Sequence, residues 1–190
     1  PSGARGRMGS MSVFSNRSVD PPQERAKYAS AILELVGGRE PLSILRETPA
    51  AAARAIEGLT PDEVRTPEAP GKWSVVQVLQ HLADSDLVWG WRMRLILAQD
   101  RPPITGYDQD QWVDRLHYAE TDPALALDQL RVLRRSNLAL LEQATPEDLK
   151  RVGVHSERGE ESAGYMIGLY AGHDLLHLRQ IARIRKTLSA

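Results

Sequence analysis

Apolar residues recur every three to four positions through most of this chain, the period of a helix with one buried face. The first such run spans about 22–36, with Ala26, Ala29, Ile32, Leu33 and Val36 in phase and Gly37-Gly38 as its stop. A second helix is expected from Thr48-Pro49, a cap followed by proline in the first turn, to Gly58. Residues 41–47 read equally as a separate turn or as part of that helix beyond a kink. Thr60-Pro61 restarts a short helical turn, and "RTPEAPGK" is a proline-bearing loop. Ser74 then caps a long helix from about Val75 to Gln99. Its expected apolar stripe is Val75, Val78, Leu79, Leu82, Leu87, Trp91, Leu95 and Ile96.

"DRPPITGYDQDQW" reads as a long irregular loop, after which Asp122-Pro123 opens a helix carrying Leu125, Leu127, Leu130, Leu133, Leu138 and Leu141. A short turn follows at 145, "VGVHSERGEESAG" reads as polar loop, and the last helix runs from about Ser162 to Leu188. Strand signals are nearly absent, since no hairpin dipeptide sits between alternating runs. Three or four long helices joined by short to medium loops predict an all-α bundle without a strand of five or more residues. One domain over residues 21–190 is expected. Residues 1–20 lack a periodic apolar face and read as a flexible segment, part of it a remnant ahead of Met8 or Met11.

Composition narrows the function classes. A hydrophobic fraction of 42% and a charged fraction of 26% are those of a globular protein. Twenty-four basic residues stand against 25 acidic ones, so the footprint of a nucleic-acid binder is missing. The local clusters Arg131, Arg134, Arg135 and Arg183, Arg185, Lys186 read as solvated helix faces and ends. No cysteine is present, which excludes disulfides, thiolate metal sites and a cysteine nucleophile and suits a cytoplasmic setting. No apolar run approaches the ~20 residues that span a bilayer.

Candidate chemistry centres on histidine. His173 and His177 lie four apart in "GHDLLHLRQI", and residues at that spacing share one helix face. Two such imidazoles are either half of a metal site or ordinary polar residues on a helix surface. His81 sits in an apolar stripe and is either a core histidine with a hydrogen-bond partner or a third ligand. His117 and His155, in polar surroundings, are expected to be exposed.

Three segments resemble one family. "GKWSVVQVLQHLADSD" is similar to the signature of the second bundle helix in DinB-like proteins, a group with YfiT-type and bacillithiol-transferase-like members. "PPITGYDQDQWV" resembles the loop that follows it, and "LYAGHDLLHLRQI" resembles the last-helix histidine motif. The similarity runs from about residue 40 to 188. It implies a four-helix bundle of up-down-down-up course and a divalent metal held by His81, His173 and His177; zinc, nickel, copper, cobalt and iron all accept imidazole, with zinc or nickel the ions expected first. Related proteins include thiol transferases and thiol-dependent isomerases. The resemblance therefore implies a metal-dependent thiol S-transferase or hydrolase-like enzyme acting on a small molecule, with a low-molecular-weight thiol as cosubstrate. The alternative is a metal-dependent binding or stress-response protein without turnover.

Near the ligands, Asp84 shares the His81 face and Tyr170 the His173 face, so both are candidates for proton transfer or for supporting a ligand. Asp174, about 100° from His173, is expected at the surface or in an interface. Trp89, Trp91, Tyr107 and Trp112 are candidates to line a pocket at the bundle end, with core packing the preferred reading for Trp89 and Trp91. Homodimerisation through outer helix faces is expected, with no nucleic-acid or membrane partner.

Overall fold

A computed structural model of the chain describes residues 22–188. The flexible segment expected at residues 1–20 lies outside the described residues. Four long helices form the bundle: α2 (Pro41–Ile56), α4 (Val75–Ala98), α6 (Pro123–Leu141) and α7 (Ala163–Leu188). A further helix, α1 (Pro22–Val36), packs along α7, and a single turn, α3 (Pro61–Arg65), precedes α4. Gly172 permits the α1 contact, because a Cβ there would lie 2.0 Å from the Ile32 carbonyl oxygen.

Helix directions follow from the pairs that meet. Asp84 with Gln129, Asp86 with Arg134 and Arg94 with Asn137 make α4 and α6 parallel. Trp73 faces His177 while Trp89 faces Tyr170, so α4 runs against α7. On α2, Leu45 shares Arg134 with Asp174 and Ala55 meets Arg185, which makes α2 parallel to α7. The course is up-down-down-up. Because α4 and α6 are parallel, residues 99–122 must return roughly the length of a 20-residue helix, about 30 Å.

That return is not irregular throughout, as its sequence suggests. It carries β1 (Pro103–Ile104) and α5 (Gln109–Arg115). The segment read as polar loop after 150 is a hairpin, β2 (Val152–His155) and β3 (Gly159–Ser162). β1 pairs parallel with β2, which pairs antiparallel with β3, in a three-stranded sheet. These strands are too short for a clear alternation, and none among the described residues exceeds four. His155, expected to be exposed, faces inward from β2, where its Nδ1 accepts from the Glu157 N–H at 3.1 Å. His117 is exposed as expected.

α2 begins well before its expected start. Glu40 caps it, accepting from the Leu42 and Ser43 amides, and Pro49 lies inside the helix rather than at its first turn. A proline at 49 cannot donate to the carbonyl of Leu45. That carbonyl instead accepts from Arg134 Nη1 at 2.6 Å. The interior proline is tolerated because the acceptor it frees is filled by a buried cation.

Two apolar clusters stack along the bundle. One gathers Val75, Val78, Leu79 and Leu82 of α4 with Leu130, Ile181 and Ile184. The other gathers Trp89, Met93 and Ile96 with Ile44, Leu45, Leu138 and Met166. Between them lies a polar layer. Arg134, 2% exposed, donates to Asp86 at 3.1 Å and to Asp174 at 2.7 Å, and Asn137 donates to the Asp86 carbonyl at 2.9 Å. Gly90 makes room for Asn137, whose Oδ1 would be 2.2 Å from a Cβ at that position. Both surface expectations are overturned here: Arg134 and Asp174 are buried, whereas Arg131 and Arg135 are exposed. The α4 stripe is corrected too. Leu87 and Trp91 are exposed, because the buried face continues through Asp86, Trp89 and Met93 instead.

One cation serves two carboxylates. Burial pushes Asp174 up, but Arg134 outweighs it and holds the group at about 2, while burial raises Asp86 to about 6 against the pull of Arg134. Arg134→Ala leaves both carboxylates buried without a counter-charge and the Leu45 carbonyl unfilled. We expect a loss of about 3–5 kcal/mol, read as a lower urea midpoint, whereas Arg135→Ala on the solvated face should change stability little.

Candidate metal centre

The polar layer continues into a cluster of imidazoles. His81 sits on α4 and His173 and His177 on α7, the latter pair one helical turn apart on the face toward α4. His81 Nε2 and His173 Nε2 approach to 3.0 Å, and one ligand atom from each of the three lies within 4.8 Å of the others. Ring centroids are 5.1 Å apart for His81–His173, 4.7 Å for His81–His177 and 4.4 Å for His173–His177. Nitrogens bonded to one tetrahedral ion lie about 3.4 Å apart, given bonds of about 2.0–2.1 Å. The observed spacing is of that order.

Protonation and tautomer also suit a cation. His81 and His177 are buried, at 2% and 6% exposure, and burial is the first cause that lowers both. His81 falls well below its ordinary value, with His177 and His173 adding to the effect. His177 falls to about 3, where proximity to His173 adds to the lowering and the Gln180 hydrogen bond and Asp174 oppose it. Both imidazoles are therefore neutral at pH 7 with a lone pair available. His177 Nδ1–H donates to Gln180 Oε1 at 2.8 Å, which leaves Nε2 as the lone-pair nitrogen. His173 Nδ1 is buried 3.8 Å from Asp174 Oδ1, so the Arg134 layer lies directly behind a candidate ligand. Trp73 walls the cluster, its ring stacked 6.2 Å from His177 and tilted 5.0 Å from His81.

On its other side the cluster meets a partly open cavity of about 80 Å³, lined by His173, Ser85, Arg92, Tyr107 and Tyr170 among others. Ser85 Oγ lies 3.4 Å from His81 Nε2 and 3.2 Å from the Tyr107 hydroxyl. Tyr170 packs 5.0 Å from Trp89 and 6.0 Å from His173, and its hydroxyl accepts from Arg92 at 3.3 Å. Burial raises the Tyr170 pKa, with Arg92 and Arg158 opposing. Asp84 turns elsewhere. Its carboxylate accepts from Tyr118 at 2.6 Å, Gln129 at 2.8 Å and Gln80 at 3.1 Å, toward α6 and the turn at Tyr118–Glu120.

Comparison with known proteins adds the family. The DinB superfamily profile matches residues 44–181. The chain belongs to the DinB superfamily. Within it, the "Putative metal-dependent hydrolase YfiT" of Bacillus subtilis is 32% identical over 151 residues, spanning 77% of this chain and 83% of that protein. A "Putative metal-dependent hydrolase" of Oceanobacillus iheyensis is 30% identical over 142 residues, 75% of this chain and 82% of that one. The solved structure of B. subtilis YfiT, described as "a probable metal-dependent hydrolase with an unusual four-helix bundle topology", superposes with a TM-score of 0.74. It is 26% identical, covering 96% of this chain and 95% of that chain.

Around the cluster and its cavity stand residues that local sequence did not single out. Trp73 lay in a quoted motif without a role, Gln180 three residues after His177 could have been found from helical spacing, and Arg92 had no local signal. Tyr107 lines the cavity, as an aromatic candidate, with Trp112 4.6 Å away. Trp89 is buried as expected, whereas Trp91 is exposed.

The buried imidazoles give the metal-free protein a pH dependence of definite sign. Their folded pKa values lie below the unfolded value of 6.5, so the unfolded chain takes the protons first. Stability should hold above about pH 6.5 and fall progressively toward pH 3. Urea unfolding of metal-free protein at pH 7.5 and 5 checks this, and the drop should be smaller in His177→Ala, where one such group is gone.

Proposed function

We propose that this protein is a divalent-metal-dependent enzyme, hydrolase-like or a thiol S-transferase, with His81, His173 and His177 as the metal ligands. The observation that carries the reading is the convergence of three imidazoles beside a cavity, at least two of them held neutral by burial. Zinc and nickel are the ions the reading tests first, among the several that accept imidazole nitrogen. An ion held by three protein ligands keeps a position open and supplies Lewis acidity toward water, a thiol or a carbonyl oxygen.

The chain's own groups set the rest. Gln180 fixes the His177 tautomer, and Trp73 shields the ligand rings from water on one side. Tyr170 remains protonated at neutral pH and accepts from Arg92, so its own O–H is free to donate into the cavity. Asp84 already accepts three hydrogen bonds, and we assign it to positioning α4 against α6 rather than to proton transfer. Since the chain has no cysteine, an S-transferase reaction draws its thiol from a low-molecular-weight cosubstrate. A small-molecule substrate and a cytoplasmic setting, without nucleic acid, belong to the same reading, which the balanced charge supports. Homodimerisation is also part of the proposal, and Leu87 and Trp91, one turn apart on the outer face of α4, are the residues to test.

Elemental analysis should find about one ion per wild-type chain, and His81→Ala, His173→Ala and His177→Ala should each lose it while retaining helical circular dichroism. Metal retained at full stoichiometry in His81→Ala would refute the ligand set. Gln180→Leu removes only the acceptor behind His177 and should weaken affinity about 10–100-fold. Turnover is sought with esters and amides, and with electrophiles plus a thiol. It should disappear in the histidine variants.

A further inference from the structure

The cavity beside His173 holds a charge that the protein does not answer. Arg92 is 6% exposed and lines it from α4. Its guanidinium donates to the Thr105 carbonyl at 2.6 Å and to the Tyr170 hydroxyl at 3.3 Å, and lies 5.9 Å from the Tyr107 ring centroid. Both acceptors are neutral, and they engage two of the five N–H groups of an arginine. Among the described residues no carboxylate pairs with Arg92. Nearby acids are engaged elsewhere: Glu161 takes Arg158 in a two-bond fork at 2.5 and 2.8 Å, Glu157 lies beside Gly106 and also acts on Arg158, Asp86 and Asp174 share Arg134, and Asp84 accepts from Tyr118, Gln80 and Gln129.

A buried cation without a counter-charge is costly. One held in place by a carbonyl and a tyrosine, and facing a cavity, is arranged to receive an anion from outside. We infer that Arg92 anchors the carboxylate of a small carboxylic-acid substrate whose body extends toward His173. The planar fork of guanidinium matches a carboxylate in a way that lysine cannot. Pairing favours the class: Arg158 is forked by Glu161, so Arg92 is the cavity guanidinium that no carboxylate pairs with, and a single monoanion matches it better than a phosphate dianion. Size agrees. About 80 Å³ has room for several waters, or for a carboxylate on a short carbon body. Tyr107 and Tyr170 supply the flanking walls, with hydroxyls that burial keeps protonated, the former pushed up to about 12.

This inference deepens the proposed function and rests on it for the reaction, but Arg92 can be tested without the metal. Propionate and its neutral isostere propionamide would be titrated against metal-free and zinc-loaded wild-type protein by calorimetry. Propionate should bind metal-free protein at least about tenfold more tightly than propionamide, as a charge-assisted pair requires. Inorganic phosphate should bind more weakly than propionate. Arg92→Gln should lose about tenfold or more in propionate affinity while propionamide is unchanged, and Arg92→Lys should recover part of the loss. Equal binding of propionate and propionamide overturns the inference, and that comparison needs no variant to fold. Tighter binding of phosphate overturns the carboxylate class, and unchanged propionate affinity in a folded Arg92→Gln overturns the anchor. Failure of wild type to take up zinc would refute the metal reading alone, since the metal-free titration still reports on Arg92.

Discussion

The guanidinium of Arg134 meets Asp86 of α4, Asp174 of α7 and the Leu45 carbonyl of α2 from its place on α6, joining all four bundle helices at one level. Its partners have few alternatives. Pro49 removes the donor that would fill the Leu45 carbonyl, and both carboxylates lie where water does not reach them. Such a network adds little net stability compared with an apolar core, because desolvation offsets most of the attraction. Its effect is on register. Sliding α7 by one residue turns its side chains by about 100° and shifts them about 1.5 Å. It would break the Asp174 pair and carry His173 and His177 away from His81 together. The ion layer thereby sets the position of the imidazoles, with Asp174 adjacent in sequence to His173.

The same layer explains why a polar site can exist in the middle of this bundle. Apolar clusters above and below supply the burial that stabilises the helices, so the level between them can hold charge and neutral histidine. Burial then works in two directions. It holds His81 and His177 unprotonated, as a cation site requires, and keeps the cavity tyrosines protonated as donors. One physical effect thus prepares both the candidate ligands and their surroundings.

Local pattern revealed what depends on helical spacing. The His173–His177 pair shares a face at any tertiary arrangement, and the Val78–Leu82 stripe around His81 identified an inward-facing histidine. The convergence of the two helices and the up-down-down-up course came from resemblance to the family, since no local pattern encodes them. What stayed hidden depends on partners distant in sequence. Arg134 looks like Arg131 and Arg135 until Asp86, 48 residues earlier, and Asp174, 40 residues later, are placed beside it. Thr48-Pro49 looks like a helix start because the residue that compensates an interior proline is on another helix. His155 looked exposed because the alternation of a four-residue strand is too brief to read.

Three imidazoles and no other protein group are expected to bind one ion and leave room for substrate. X-ray absorption spectroscopy of the zinc-loaded protein, with cobalt(II) absorption as a companion, tests it most directly. About three imidazole nitrogens are expected at about 2.0–2.1 Å, with one or two oxygen neighbours from solvent and the intense visible bands of four- or five-coordinate cobalt. An all-oxygen shell, or a site with a single imidazole, would contradict it.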